Sequence, residues 1–301
     1  MTATAIPHIS PELIGQLAPL GMTIMLGGRV IRVSAQRAER IAFWHKAESG
    51  AWEDCTLRFV KDTTDRETTF IDIGAWIGPI AVVAGALAKR VIAVEPDPVA
   101  ASELEENVAL NNAPVEVWRA GIDTGSGSLK LFAKTGFGGS MTSSLGDPSS
   151  ESISVATVSF DDITAAITSR AGNAGRVVLK MDVEGHEFTV GEQLVAFARK
   201  HRAPMNLSLH PAIFYRAARR TEGPLAARLQ TFLATKTLLD RLASYGRVRV
   251  SKTGQPLTLP LLASFVFLRR RPKNFSVDVF PDSRNMAPRF QRSPQRRAAR
   301  R

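Results

Sequence analysis

Hydrophobic and polar positions alternate between two periods through the middle of the chain. Short apolar runs, which are typical of buried strands, are separated by segments with the 3.6-residue period of an amphipathic helix. The pattern predicts strands at 69–74, 90–94, 114–119, 177–182 and 205–209, with helices at 79–89, 98–111, 161–170 and 187–200. Such alternation indicates parallel strands with right-handed crossovers, so we expect an α/β fold with a doubly wound, mostly parallel sheet.

Both ends of the chain depart from this alternation. Near the N terminus, 22–33 predicts a hairpin around two glycines, and 38–47 predicts a short amphipathic helix. Near the other end, a helix at 223–245 precedes strands at 247–250 and 261–269, which the turn KTGQP would join as a hairpin. We therefore expect a sheet of about seven strands whose last pair is antiparallel.

The least regular segment is 121–152, which is rich in glycine, serine and threonine. Short strands are expected beside it only at 129–133 and 153–158. Long loops inside compact domains are usually functional or mobile, so the stretch GFGGSMTSSLGD at 136–147 is the segment expected to cover a ligand. A plain surface loop is the alternative.

Composition is that of a globular protein with 301 residues, 44% of them hydrophobic and 22% charged. No apolar run approaches the length of a membrane span, and the first residues lack the features of a signal peptide, so we expect a cytoplasmic protein. The single cysteine, Cys55, excludes an intramolecular disulfide and a cysteine-based metal cluster.

The net charge of +11 is concentrated in one place. Residues 284–301 contain seven arginines and no acid, so the remaining 283 residues carry only +4. We expect an N-terminal extension at 1–51, a main domain at 52–272 and a basic, disordered tail at 273–301. The tail could bind RNA or an anionic surface, or it could be a solvated appendage.

Candidate chemistry begins at FIDIGAWIGP, residues 70–79. A buried strand containing Asp72 leads into a turn with Gly74 and Gly78, at the sheet edge where α/β proteins bind ligands. Glycine allows a sharp turn and a close approach of ligand to backbone. The next strand ends in Glu95, whose carboxylate can accept both hydroxyl hydrogens of a ribose. The segment predicts a site for a nucleoside-bearing cofactor.

The turn also discriminates between cofactors. A dinucleotide site requires G-x-G-x-x-G, but Trp76 stands where the second glycine would admit a pyrophosphate. No P-loop motif for ATP occurs either. A bulky indole near Asp72 suits a cationic ligand without phosphate, so the turn favours S-adenosyl-L-methionine over NAD. A purely structural glycine turn remains the alternative.

A second cluster lies in VVLKMDVEGHE, residues 177–187, at the end of another strand. Lys180, Asp182 and Glu184 would share a face if the extended backbone continues that far. The structural alternative is that Asp182 caps the following helix and Lys180 neutralises it. His210 is a further candidate base because it follows an apolar strand, although a histidine there is as often structural. No metal-binding motif is present, although carboxylates can bind a divalent ion.

Together, FIDIGAWIGP, AVEPDPVAASELEENVALNN and VVLKMDVEGHE resemble the FkbM-type family within the class I S-adenosylmethionine-dependent methyltransferases. The typical motifs of that family are D-x-G-A-N-x-G, E-P followed by N-x-x-L-N, and L-K-x-D-x-E-G-x-E. The resemblance covers residues 52–210, and the chain departs from it at Trp76, where asparagine is usual, and at Pro79. The expected seven-stranded sheet matches the architecture of this class.

The resemblance implies a methyltransferase that uses S-adenosylmethionine. Asp182 and Glu184 would border the transfer site, with Lys180 and His210 as further catalytic candidates. The implied cofactor-binding residues are Asp72, Gly74, Ala75, Gly78, Glu95 and, near the adenine, Asp123. The implied reaction is O-methylation of a hydroxyl on a small molecule or a glycan. The alternatives are an RNA methyltransferase that uses the arginine-rich tail and a catalytically degenerate scaffold.

Overall fold

The computed structural model describes residues 21–134, 136–169 and 175–282. The strands are β1 Met22–Leu26, β2 Arg29–Val33, β3 Thr68–Ile73, β4 Arg90–Val94, β5 Val115–Trp118, β6 Gly121–Ile122, β7 Gly127–Ala133, β8 Thr142–Ser143, β9 Glu151–Val158, β10 Arg176–Met181, β11 Met205–Leu209, β12 Gly246–Val250 and β13 Phe275–Pro281. The helices are α1 Ala38–Glu48, α2 Asp54–Thr63, α3 Pro79–Gly85, α4 Pro98–Leu110, α5 Phe160–Ser169, α6 Glu187–His201, α7 Pro211–Ala218, α8 Pro224–Tyr245 and α9 Leu259–Phe267.

The central sheet has seven strands in the order β12-β13-β11-β10-β3-β4-β5. The strands from β11 to β5 are parallel to one another, whereas β13 runs antiparallel between β11 and β12. The predicted α/β class is therefore confirmed, with a sheet that is mixed. Parallel strands covered on both faces are apolar almost throughout, which explains the short apolar runs in the sequence.

Each face of this sheet has its own hydrophobic core. In β3, Ile71 and Ile73 pack into one core while Phe70 packs into the other. The β1–β2 hairpin and α1 belong to the second core, through residues that include Leu26 and Trp44. The described part of the predicted N-terminal extension, residues 21–51, therefore shares a core with the main sheet.

The C-terminal hairpin predicted at 247–250 and 261–269 is wrong. Residues 259–267 form α9. Thr258 caps its N terminus, because the hydroxyl of Thr258 accepts a hydrogen bond from the backbone N–H of Leu261. Apart from Ser264 the run is apolar, so its pattern could not separate a buried helix from a strand. In the structure its buried residues follow helical spacing.

The partner of β12 is β13, which also pairs with β11. Residues 275–281 alternate between buried and half-buried positions, which is the period of a strand. The tail boundary predicted at residue 273 is therefore wrong, because residues that the prediction placed in the tail form an interior strand of the sheet. The basic residues of 284–301 lie outside the described part of the chain.

The segment expected to be irregular forms a second sheet of four strands in the order β6-β9-β7-β8. The antiparallel pair β7–β9 contains the strands predicted at 129–133 and 153–158 and extends beyond them. Only the connection around β8 lacks long strands, and it contains most of GFGGSMTSSLGD.

Gly74 is required by its contact with the neighbouring strand. Its φ is +74°, and a Cβ on it would overlap the carbonyl oxygen of Asp182, directly after β10. Gly78 has a φ of +88°, and a Cβ there would overlap the side chain of Leu104 on α4. The sequence suggested that these two glycines make room for a ligand, whereas in the structure they make room for packing of the chain against itself.

Substituting alanine at Gly74 tests this assignment. Gly50 has the same φ of +74° and no atom within 4 Å of the position that a Cβ would take, so Gly50→Ala measures the cost of the left-handed backbone alone, about 1–2 kcal/mol. Gly74→Ala should lose at least about 1–3 kcal/mol more, because β10 must shift. Urea unfolding of both variants measures the difference, and equal losses would contradict the close-contact explanation.

Candidate active site

A cavity of about 330 Å³ opens at the carboxyl ends of β3, β4 and β10. Its size is within the range of small-molecule sites. The walls come from the turn after β3, from Glu95, from the end of β10, from the second sheet and from the segment that contains α1. The cofactor turn and the second cluster of polar residues therefore face one cavity, as expected from the sequence.

Glu95 is held at the wall of this cavity by two backbone groups. One carboxylate oxygen accepts a hydrogen bond from the N–H of Trp76 at 2.7 Å, and the other accepts from the N–H of Asp97 at 2.9 Å. The residue is only 5% exposed, and burial raises its pKa to about 7. The orientation of the carboxylate is thus set before any ligand binds.

Lys180 connects the cofactor turn to β10. Its Nζ donates to the carbonyl oxygen of Gly74 at 2.8 Å and lies 3.1 Å from Oδ1 of Asp72. Burial alone would lower the pKa of Lys180, but Asp72 and Asp182 raise it above its ordinary value, so the ammonium stays charged. Asp72 is fully buried and, unlike Gly74 and Ala75, does not line the cavity. It acts on the site through Lys180.

His210 lies among three carboxylates. Its Nε2 is 3.3 Å from Oδ1 of Asp182 and 3.7 Å from Oε2 of Glu184, and its Nδ1 is 3.4 Å from Oε1 of Glu187. Burial opposes the charged form, but the carboxylates prevail and raise the pKa of His210 to about 10. An imidazole that is already protonated at neutral pH does not suit the role of general base.

Asp182 and Glu184 have chemical roles that differ from helix capping. The N-cap residue of α6, the helix after β10, is His186, so the alternative in which Asp182 caps it is wrong. Burial raises the pKa of Glu184 to about 7, which suits a group that exchanges protons near neutrality. One donor atom from each of Asp182, Glu184 and His210 lies within 4.8 Å of the others, so the set could also hold a divalent ion, which the sequence did not predict.

Asp123 is not brought into the cavity. Its carboxylate lies 3.3 Å from Nε2 of His186, which itself lines the cavity. The residues just before Asp123 in the sequence that do line the cavity are Ala120, Gly121 and Ile122. The structure therefore places small and apolar groups, rather than this acid, at the part of the cavity expected to receive an adenine.

The stretch GFGGSMTSSLGD crosses the cofactor turn. The carbonyl oxygen of Gly138 accepts hydrogen bonds from Nε1 of Trp76 at 3.0 Å and from the guanidinium of Arg40 at 2.6 Å. The N–H of Gly138 donates to Asp97 at 2.6 Å. Because residues of this stretch also line the cavity, its expected position beside a ligand site agrees with the structure.

The segment from α1 to α2 contributes a wall that the sequence did not predict. Phe43 and Trp52 line the cavity, and the ring of Phe43 lies 4.6 Å from Trp76 and 5.2 Å from Trp52 between centroids. Glu53 lines it too. No motif marks these residues, because they meet the motif residues only in the folded chain.

Backbone strain also concentrates at the cavity. Among the described residues, five other than glycine have a positive φ, and Glu53, Trp76 and Glu184 are three of them. All three line the cavity. Unfavourable backbone conformations persist where surrounding structure enforces them, and they cluster at functional sites.

Comparison with known families identifies the domain. The profile of the Methyltransferase FkbM domain matches residues 72–203, from β3 through the end of α6. This segment is an FkbM-type methyltransferase domain. It contains Glu95, Lys180, Asp182 and Glu184. The resemblance noted in the sequence is confirmed, and so is the methyltransferase cofactor, S-adenosylmethionine.

Solved structures that resemble the chain at low sequence identity include several methyltransferases. The Methyltransferase FkbM of Methylobacillus flagellatus is 15% identical with a TM-score of 0.37, over 75% of this chain and 53% of that one. The chain thus spans about half the length of that protein. An rRNA methylase of Streptococcus thermophilus is 9% identical with a TM-score of 0.39, over 74% and 92% of the two chains. The O-methyltransferase TomG of Streptomyces achromogenes, solved with SAM, is 14% identical with a TM-score of 0.39, over 78% and 81%.

No curated protein is significantly similar in sequence. Among the helices of the FkbM-type domain and the rest of the described chain, none is both long and apolar enough to cross a bilayer.

The protonated state of His210 has a measurable consequence. Its pKa of about 10 in the folded chain exceeds the ordinary value of 6.5, so its stabilising contribution is complete below pH 6.5 and is lost as the pH rises through 10. His210→Gln should therefore remove a pH dependence of up to about 1.4 kcal/mol per pH unit over this window. The measurement is the free energy of unfolding against pH.

His45→Gln is the control, because His45 is exposed, and it should keep the wild-type dependence of unfolding free energy on pH. If His210→Gln also kept the wild-type dependence, the assignment would be contradicted.

Proposed function

We propose that the protein transfers the methyl group of S-adenosylmethionine to a hydroxyl group of a small molecule or a sugar. The observation that carries the proposal is Glu95, held by two N–H groups at the wall of a cavity inside an FkbM-type domain. A carboxylate fixed at this position after the second parallel strand of a nucleoside site can accept the ribose hydroxyls.

The residues of the cavity fit the proposed cofactor. Four carboxylates line it, those of Glu53, Glu95, Asp182 and Glu184, and they complement a ligand that carries positive charge. The side chain of Trp76 contacts Phe43 and Gly138 at the wall, and the cavity beside it keeps a volume of about 330 Å³. This open cavity supports an enzyme rather than the degenerate scaffold that Trp76 first suggested.

The bound cofactor would supply an electrophilic methyl group, and the chain must align an acceptor with it and exclude water. The stretch across the cofactor turn and the aromatic side chains of Phe43 and Trp52 would exclude water. An acceptor hydroxyl must also lose a proton. Glu184 fits that step best, because its pKa lies near neutrality, and protonated His210 holds Glu184 and Asp182 in place.

The RNA methyltransferase alternative depends on the tail at 284–301, which lies outside the described residues, so it stays a prediction. The cytoplasmic location stays a prediction as well.

Titration calorimetry with S-adenosylmethionine and S-adenosylhomocysteine tests the cofactor site. Wild-type protein should bind both and should not bind NAD, because Trp76 occupies the place of the pyrophosphate glycine. Glu95→Gln should weaken both ligands at least tenfold, since hydrogen bonds to a charged group are worth about 1.5–3 kcal/mol.

Glu105→Gln is the matched control, because this glutamate is exposed on α4 and pairs with Arg119. It should bind like wild type. Tighter binding of NAD than of S-adenosylmethionine, or an unchanged dissociation constant in folded Glu95→Gln, would reject the proposed site.

A further inference from the structure

Glu53 is a cavity residue that no motif includes. It precedes α2 and takes the position that would cap the helix, yet its side chain makes no capping hydrogen bond. Its Oε2 atom is buried without a hydrogen-bond partner among the described residues. Helix capping therefore does not explain where this carboxylate points, and the cavity that it lines does.

The backbone at Glu53 is held in an unfavourable conformation. Its φ of +40° and ψ of +37° are left-handed, a region that favours glycine over a residue with a side chain. A chain that needed only a turn before α2 would be more stable with glycine here. The glutamate side chain is therefore the feature that needs explaining at this position.

The charges around Glu53 leave it without a cation of its own. Burial is the largest effect and raises its pKa; Asp182 and Asp72 raise it further, whereas Lys180 and a hydrogen bond from the side chain of Thr56 lower it. Lys180, however, already contacts Asp72 and the carbonyl of Gly74. Oδ1 of Asp182 makes no hydrogen bond among the described residues either, although it lies 3.3 Å from Nε2 of His210. A buried carboxylate oxygen without a donor is costly, so a cationic donor on a ligand would stabilise Oε2 of Glu53 at this end of the cavity.

The sheet order places this end of the cavity opposite Glu95. In the central sheet β3 lies between β4, which leads to Glu95, and β10, which contains Lys180. A ligand across the turn after β3 with its ribose on Glu95 would extend its other end toward Lys180 and Glu53. In S-adenosylmethionine that other end carries an ammonium group with three N–H donors, whereas the sulfonium has none.

We propose that Glu53 binds the ammonium group of the cofactor, so that the segment before the FkbM-type domain completes the cofactor site. This inference rests on the proposed function. It makes Glu53 a cofactor-binding residue that recognises one functional group, which distinguishes it from a residue that only shapes the cavity.

The test compares S-adenosylhomocysteine with its deamino analogue, which lacks only the amine. Wild-type protein should bind S-adenosylhomocysteine more tightly by calorimetry. Glu53→Gln, which removes the charge and keeps the shape, should weaken S-adenosylhomocysteine at least tenfold and leave the deamino analogue unchanged. Glu95→Gln is the matched control at the other end of the cavity, and it should weaken both ligands alike.

Glu53→Gly guards against a folding defect, because glycine relieves the left-handed backbone. It should melt at or above the wild-type temperature and lose the same preference for the amine. A preference that persists in Glu53→Gln, or an equal weakening of both ligands, would overturn the assignment. A lowered melting temperature in Glu53→Gly with the preference intact would show a structural role instead. Absence of binding by wild type to either ligand would reject the proposed function itself.

Discussion

The ion pair between Lys180 and Asp72 is the constraint on which the site depends. The two residues are register partners on the adjacent parallel strands β10 and β3, and both side chains are buried. Removing one partner of such a pair typically costs about 3–5 kcal/mol, because the other charge is left unpaired. Lys180 also binds the carbonyl of Gly74, so the cofactor turn is fixed to the strand that leads to Asp182.

The rest of the site follows from this attachment. Gly74 starts the turn, and the backbone N–H of Trp76 in the same turn donates to Glu95. The indole N–H of Trp76 donates to the carbonyl oxygen of Gly138 in the stretch GFGGSMTSSLGD. On the other side, β10 leads directly to Asp182, which contacts His210. Glu95, which we propose binds the ribose, and the acid cluster are thus both connected to one buried lysine. The carboxylates that it does not neutralise suit a cationic cofactor.

The sequence predicted those features of the site that are determined by residues close together in the chain. The strand ending in the cofactor turn, the position of Glu95 and the acid cluster after β10 could all be read from short segments. Long-range contacts could not. Glu53 and Lys180 line the same cavity, but only folding brings them together. Asp72 was predicted to contact the ligand because no neighbouring residue in the sequence shows that Asp72 lies behind Lys180. The strand predicted at 261–269 overlaps α9, and the prediction was wrong because a mostly apolar run fits a buried helix and a buried strand equally well.

A crystal structure of the protein with S-adenosylhomocysteine tests the central claim most directly. Our account predicts the ligand in the cavity across the turn after β3, with the ribose hydroxyls on Glu95 and the Lys180–Asp72 pair intact behind it. A ligand bound elsewhere, or one whose ribose does not contact Glu95, would contradict the account.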